Sequence, residues 1–495
     1  MIIESVELPI SDVTTTKVPE DYLQTRNLLY NLCLTCKWVC MRARPLLYRT
    51  VIFSLDHRLG DEMQIQRNRS HRDIQALVLL IRTLLEKPEI RGLVKNILCP
   101  SELFPDPWWC WKENIVEAAE WPFAAYDYPT WDKCSMRDMV IFKYAHLYPW
   151  FTRIKSEWTL GQRLIAVLLW YTPNLELLLL HSAIEAPNNP SNSYTELSKI
   201  MGEISDLLNE PPLPNLSALY IQRHILFKQN SRVTDLVIEP AFLGRLNLTR
   251  LHFWRNIRYL TFDDFTFSIV RLKELKFVGA ILAEDLDRIL QVAVQLETLS
   301  VVISHRESVH RPVHVLAAGL DVNDVLEQRK DTLKELEFRI CGHDWYLPQL
   351  GPDRRLECLP RLEKLERLTT EPLLIMERYS SRVEELLPPN LISLTVVESR
   401  RCWPMYSISQ LPANVSNFWI ALALVELITP PLANMEKLKH VRLLRSKHKP
   451  HLTPAWLEWV AVRFREEQAT LEFSYGDDDT PPDFFPPSQS APIEE

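Results

Sequence analysis

The chain has 495 residues, 46% of them hydrophobic and 24% charged, and a formal net charge of -8. That length allows roughly two to four ordinary domains, or one extended repeat domain with a small companion, and the apolar content excludes wholesale disorder. The mild acidity argues against nucleic acid as the main partner, because phosphate binding needs a concentrated positive field.

Residues 28–53 read LLYNLCLTCKWVCMRARPLLYRTVIF. Leu29, Leu32, Cys33, Cys36 and Cys40 follow helical spacing and predict a helix with a wide apolar face. Cys33-x-x-Cys36 has no second such pair and no matching histidine spacing, so these thiols read as small core residues rather than as metal ligands or a redox pair. The segment resembles the F-box, in the variant common in fungal F-box proteins. The matching residues are Cys36-Lys37-Trp38, then Ala43-Arg44-Pro45-Leu46-Leu47-Tyr48-Arg49 and Val51, with Leu8-Pro9 as the opening pair. Between Pro9 and Tyr22 the family has an amphipathic first helix. This chain has SDVTTTKVPED there, with three consecutive threonines and Pro19, so that helix is expected to be missing or remodelled. The resemblance implies docking on the Skp-type linker subunit of a cullin–RING ubiquitin ligase through Leu8, Pro9, Leu32, Trp38, Pro45, Leu46 and Leu47.

Residues 56–170 form a linker and insert. Arg67, Arg69, His71 and Arg72 read as a solvated basic loop. Eight of the fifteen tryptophans fall between 101 and 170, without the dense Lys/Arg that would track phosphates. Two readings stand: a core of mostly helical segments, which is preferred, or a loop at Trp108, Trp109 and Trp111 that grips a partner.

From residue 171 to 475 a pattern Leu-x-x-Leu-x-apolar recurs. Copies begin at Leu175, Leu216, Leu248, Leu272, Leu296, Leu333, Leu391, Val415 and Leu438, with a weaker one at Leu362-x-x-Leu365-x-Arg367. Small or amide residues stand eight positions after most first positions, Asn256 and Cys341 among them, and are expected at tight corners below each strand. Apolar positions between 281 and 296 predict an intervening helix, and Ser381–Glu384 reads as a capping box. Residues 453–468 predict a capping helix, Leu471 and Phe473 a last strand, and 476–495 a disordered acidic, proline-rich tail.

The fold class expected is therefore α/β: a short helical F-box-like module over 1–55, then an irregular leucine-rich-repeat solenoid, a horseshoe. Alternation along its strands places Arg250, His252, Trp254, Lys276, Glu335, Glu337, Arg339, Trp419, His440 and Arg442 on a concave wall facing a target protein. The glycines never fall closer together than Gly342 and Gly351, which excludes phosphate-cradling loops as written. H-E-x-x-H and G-x-S-x-G are absent. No apolar run is long enough to span a bilayer, and no basic-then-apolar leader opens the chain. The expected protein is not an enzyme, takes no cofactor or metal, binds neither nucleic acid nor membrane, and works in cytoplasm and/or nucleus with reduced cysteines. Its expected role is substrate-recognition adaptor of the ligase; the alternative is a leucine-rich interaction scaffold with no ubiquitin role.

Overall fold

The computed structural model describes residues 20–52, 77, 79–98, 168–182, 213–223, 236–238, 246–262, 269–281, 283–304, 322–341, 356–375, 386–397, 437–446, 458, 462 and 470–476. The chain is α/β and divides into two compact units, residues 1–232 with 236–247, and 233–235 with 248–495.

The described residues of the first unit begin with two helices, α1 (Glu20–Thr35) and α2 (Lys37–Arg49). They are not one helix. Cys36 between them is extended, with φ -160° and ψ 163°, so the apolar series from Leu29 to Cys40 is split between two axes. Helix α2 carries Pro45 and runs directly into strand β1 (Thr50–Ile52). A helical segment over 79–86 and the short helix α3 (Pro88–Arg91) follow. Arg91 donates from Nε to the Leu84 carbonyl at 2.6 Å, satisfying the open end of 79–86, and stacks 4.5 Å over Tyr171. Strands β2 (Asn96–Leu98), β3 (Leu177–Ser182) and β4 (Ala218–Arg223) extend β1 into a four-stranded parallel sheet. A short strand β5 (Leu236–Ile238) also belongs to this unit.

Among the described residues the second unit holds eight parallel strands in sequence order: β6 (Arg250–Phe262), β7 (Glu274–Ile281), β8 (Thr298–Ser304), β9 (Glu335–Cys341), β10 (Arg367–Thr370), β11 (Ser393–Val397), β12 (His440–Ser446) and β13 (Thr470–Gly476). Helices α4 (Ala283–Val292), α5 (Val322–Glu327) and α6 (Pro372–Ile375) lie between them. The 281–296 prediction matches α4, whose Leu286, Ile289 and Leu290 are buried.

The register explains the leucines. Leu251, Leu275, Leu299, Leu336, Leu368, Leu394, Val441 and Leu471 pair in one row across the sheet. Two residues on, Phe253, Phe277, Val301, Phe338, Thr370 and Val396 form a second row, with the Phe253 and Phe277 rings 6.3 Å apart. The pairing shifts one expected copy. Leu368, not Leu365, stands opposite Leu336, so the repeat reads Leu365-x-x-Leu368-x-Thr370. β11 also pairs directly with β12, and no rung separates them; the copy at Val415 lies outside the described residues.

Strands also run further than the corner rule predicts. Asn256 lies inside β6, Ser304 pairs with Cys341, and Ser446 pairs with Gly476. The eighth position is thus a rung of the ladder rather than a corner. The turn sits before each strand instead. Asparagine just ahead of the first leucine donates to a carbonyl of the previous repeat: Asn174 to Gly92 at 3.0 Å, Asn215 to Pro173 at 3.1 Å, Asn390 to Glu363 at 2.6 Å. A Cβ on Gly92 would stand 3.1 Å from that Asn174 amide. The capping box, the acidic tail beyond Gly476 and most of 453–468 lie outside the described residues; Glu458 and Val462 are helical.

Thr370 is fully buried between Phe338 and Val396, and its hydroxyl has no hydrogen-bond partner among the described residues. A buried unsatisfied hydroxyl costs about 1–3 kcal/mol. Thr370→Val is therefore expected to stabilise the second unit by about 1 kcal/mol, read as an upward shift of the urea midpoint; an unchanged or lower midpoint refutes the assignment.

Candidate protein-binding surfaces

Helix α2 presents one outward face. Trp38, Met41, Arg42, Pro45 and Arg49 follow i, i+3, i+4, i+7, i+11 spacing, and all five are exposed, Trp38 by 62% and Met41 by 59%. Arg42 lies 6.0 Å over the Trp38 ring. The opposite side packs inward: Ala43 is buried, and Val39, Cys40, Leu46 and Leu47 are half-buried. Leu28, Tyr30 and Leu34 of α1 are exposed as well, while Leu29 is fully buried. Arg44 pairs with Glu89 of α3 at 3.1 Å and ties α2 to the segment ahead of β2. Burial, and then the Cys40 thiol beside it, pushes the Cys33 thiol up, so it stays protonated at neutral pH.

Of the residues assigned to linker docking, Trp38 and Pro45 share the exposed face of α2. Leu46 and Leu47 are half-buried on its other side, and Leu32 is half-buried on α1. Helical phase within α2 separates Trp38 and Pro45 from Leu47, and the break at Cys36 puts Leu32 on a different axis. Met41, Arg42 and Arg49 complete the face, and their spacing from Trp38 was the signal that identifies them. Leu8 and Pro9 lie outside the described residues.

The second candidate is a face of the eight-stranded sheet. Arg250, Glu274, Thr298, Glu335, Arg367, Ser393 and His440 form one cross-strand row; His252, Lys276, Ser300, Glu337, Thr369, Thr395 and Arg442 form the next. Polar side chains pair on these rows, within and between strands. Glu274 Oε1 lies 3.1 Å from His252 Nε2 and 2.9 Å from Lys276 Nζ; Arg367 pairs with Glu335 at 2.8 Å; Ser300 donates to Glu337 at 2.6 Å. Arg250, His440 and Arg442 are exposed, and Lys276, Glu335 and Glu337 are half-buried.

Two wall residues are not on an open surface. His252 is 4% exposed and Arg339 is 3% exposed. His252 lies against Glu274, and Arg339 lies 3.6 Å from Glu337, with buried Glu371 one residue beyond the Phe338–Thr370 rung. Alternation selects a side of the sheet, but packing over that side decides exposure. The Trp254 side chain, Trp419 and the tryptophans at 108, 109 and 111 lie outside the described residues.

Among the described residues no group of three His, Cys, Asp or Glu side chains is placed to hold a metal ion, and no helix is long and apolar enough to cross a membrane. No family model matches the chain, and no curated protein matches it.

The His252–Glu274 pair gives the sheet face a pH dependence. Burial lowers the His252 value, so the imidazole is neutral at pH 7, and its contact with Glu274 is the leading cause that lowers that carboxyl from 4.5 to about 2. Both shifts mean that the unfolded chain binds more protons as pH falls. The contribution of Glu274 is complete above 4.5 and is lost as pH falls toward about 2. The stability difference between the native chain and Glu274→Gln is expected to shrink across that window by on the order of 1–3 kcal/mol, measured by urea unfolding at stepped pH; a difference constant with pH refutes the pair.

Proposed function

We propose that this chain is a non-catalytic substrate-recognition adaptor of a cullin–RING ubiquitin ligase. In this reading the α1–α2 pair docks on a Skp-type linker subunit, and the repeat strands belong to a leucine-rich solenoid that holds a target protein. The observation that supports it is the exposed Trp38–Met41–Pro45 face, borne by the helix that carries the F-box-like residues and ends at strand β1. An apolar helix face of i, i+3, i+7 spacing is what a grooved partner recognises, and large solvated aromatics are disfavoured unless something covers them. The neutralised polar rows of the sheet suit a target interface whose specificity lies in matched charges and hydroxyls. The adaptor itself would act by proximity, raising the effective concentration of the target near the ubiquitin carrier. Cytoplasm and nucleus are the compartments this role implies.

Trp38→Ala with Met41→Ala should cut co-purification with the linker subunit by more than about tenfold, the scale of losing a buried aromatic anchor, while the unfolding midpoint of the sheet is unchanged. Both side chains are solvated, so the fold survives their truncation. Full retention of the linker overturns the docking assignment; targets captured by mass spectrometry without any linker would favour the interaction scaffold.

A further inference from the structure

The break between α1 and α2 brings two thiols together. Cys33 lies in the last turn of α1 and Cys40 in the first turn of α2. The Thr35 hydroxyl donates to the Leu32 carbonyl at 2.8 Å where α1 ends, and the Cys40 N–H donates to the Cys36 carbonyl at 2.9 Å where α2 begins. A single extended residue, Cys36, makes the connection, and across it the Cys33 and Cys40 thiols are hydrogen-bonded to each other. Both are free and half-buried, whereas Cys36 is exposed. The thiol partners are therefore not the Cys33-x-x-Cys36 pair that spacing alone picks out. Among the described residues no third His, Cys, Asp or Glu side chain is placed with them to hold a metal ion.

We infer that Cys33 and Cys40 form a reversible disulfide clasp between α1 and α2 when the chain meets a low-molecular-weight disulfide. A disulfide forms without backbone movement only where the two side chains already meet, as these do. One thiol of the pair gives up its proton, and its sulfur attacks oxidised glutathione. A mixed disulfide forms, and the expelled glutathione thiolate takes up a proton. The second protein sulfur, deprotonated in turn, attacks the protein sulfur of that mixed disulfide and expels the second glutathione, which is also protonated. Two protein thiols are thus oxidised, and one glutathione disulfide is reduced to two thiols. Burial and the Cys40 thiol hold Cys33 protonated at neutral pH, against the opposing pull of Arg44, which slows adventitious exchange. Where thiols are ordinarily reduced, such a bond is transient and reports an oxidant. Trp38 lies within 33–40, the segment the bond closes, so oxidation acts beside the exposed face of α2. The clasp does not depend on what that face docks on.

The test treats the full chain with oxidised glutathione, alkylates the remaining thiols and digests with trypsin. Cleavage after Arg26, Lys37 and Arg42 separates the two cysteines, so the clasp is read as a disulfide joining peptides 27–37 and 38–42. That link should persist in Cys36→Ser, vanish in Cys33→Ser and in Cys40→Ser, and be reversed by dithiothreitol. Amide exchange over 20–35 should slow by about tenfold or more in the oxidised chain, and should not slow in Cys33→Ser treated alike. The unaltered chain and Cys36→Ser decide the matter even if the half-buried serines lower stability. Loss of the link in Cys36→Ser overturns the inference and gives the bond to Cys36. Glutathione retained on these cysteines with no link between the peptides overturns it too. A link that leaves exchange over 20–35 unchanged shows that the bond fastens nothing and overturns the clasp.

Discussion

The second unit depends on one backbone contact repeated at the start of its strands. The carbonyl one residue after the first leucine accepts two N–H groups from the next repeat. Glu297 and Thr298 both donate to Lys273 at 2.9 Å; Lys334 and Glu335 donate to Glu297 at 2.8 and 3.0 Å; Glu366 and Arg367 donate to Lys334 at the same two distances. A carbonyl has two lone pairs, so one oxygen can satisfy both donors where the chain swings from turn to strand. The contact fixes register before any side chain is placed. Once it is made, Leu275, Leu299 and Leu336 can only stack on one another. Each buried leucine then contributes about 2 kcal/mol, and a slip by one residue would turn every one of them toward the polar rows.

The same register governs electrostatics. Side chains one residue after the first leucine lie beside the doubly accepting carbonyls, and there Lys334 Nζ meets Glu297 Oε2 at 2.9 Å and holds that carboxyl below its usual value. Lys95 and Glu176 pair at the equivalent place in the first unit. These exposed pairs add little stability. Their effect is to prevent like charges from stacking at the strand spacing of a parallel sheet, where repulsion between adjacent rungs would oppose the backbone contact. On the polar rows the constraint is tighter, because His252 is buried and Glu274 half-buried beside it, and their protonation states are tied to folding.

How much was legible in the sequence follows from which atoms do the work. The leucine rows were legible because a parallel stack repeats one apolar pattern, and Leu251, Leu275, Leu299 and Leu336 keep it. The copy near 362 was ambiguous: Leu362, Leu365 and Leu368 fit two registers, and only the backbone contact from Arg367 to Lys334 chooses between them. Strand β2 was hidden because Ile97, not a leucine, occupies the row that runs from Val51 to Leu178. A usable signal did exist in Pro173-Asn174-Leu175, Pro214-Asn215-Leu216 and Pro389-Asn390-Leu391, where the amide marks the turn ahead of each strand. The break at Cys36 sets Leu29, Leu32 and Cys33 on a different axis from Cys40, which spacing counted through it had joined; within α2, helical phase alone separates exposed Trp38 from half-buried Leu46. The burial of His252 and Arg339 was not readable, since the pleat says which way a side chain leaves the sheet and nothing about what packs over it.

The junction of α2 and β1 carries a mechanical consequence within the first unit. Thr50 is at once the C-cap of α2 and the first residue of β1, and its hydroxyl accepts a 3.0 Å bond from Asn96 Nδ2 in the buried sheet. No linker residue separates the helix from the strand. Bending between them would have to break that buried bond, the Lys95 N–H bond to the Arg49 carbonyl at 2.9 Å, and the Arg44–Glu89 pair. Leaving buried partners unsatisfied costs more than the bonds contribute when made, so α2 holds its direction relative to β1, β2 and β3. The adaptor role proposed above would draw on that stiffness within the first unit. Effective concentration falls as a connection lengthens and loosens, and, if α2 docks as proposed, a helix that runs directly into a strand has the shortest connection a chain can make.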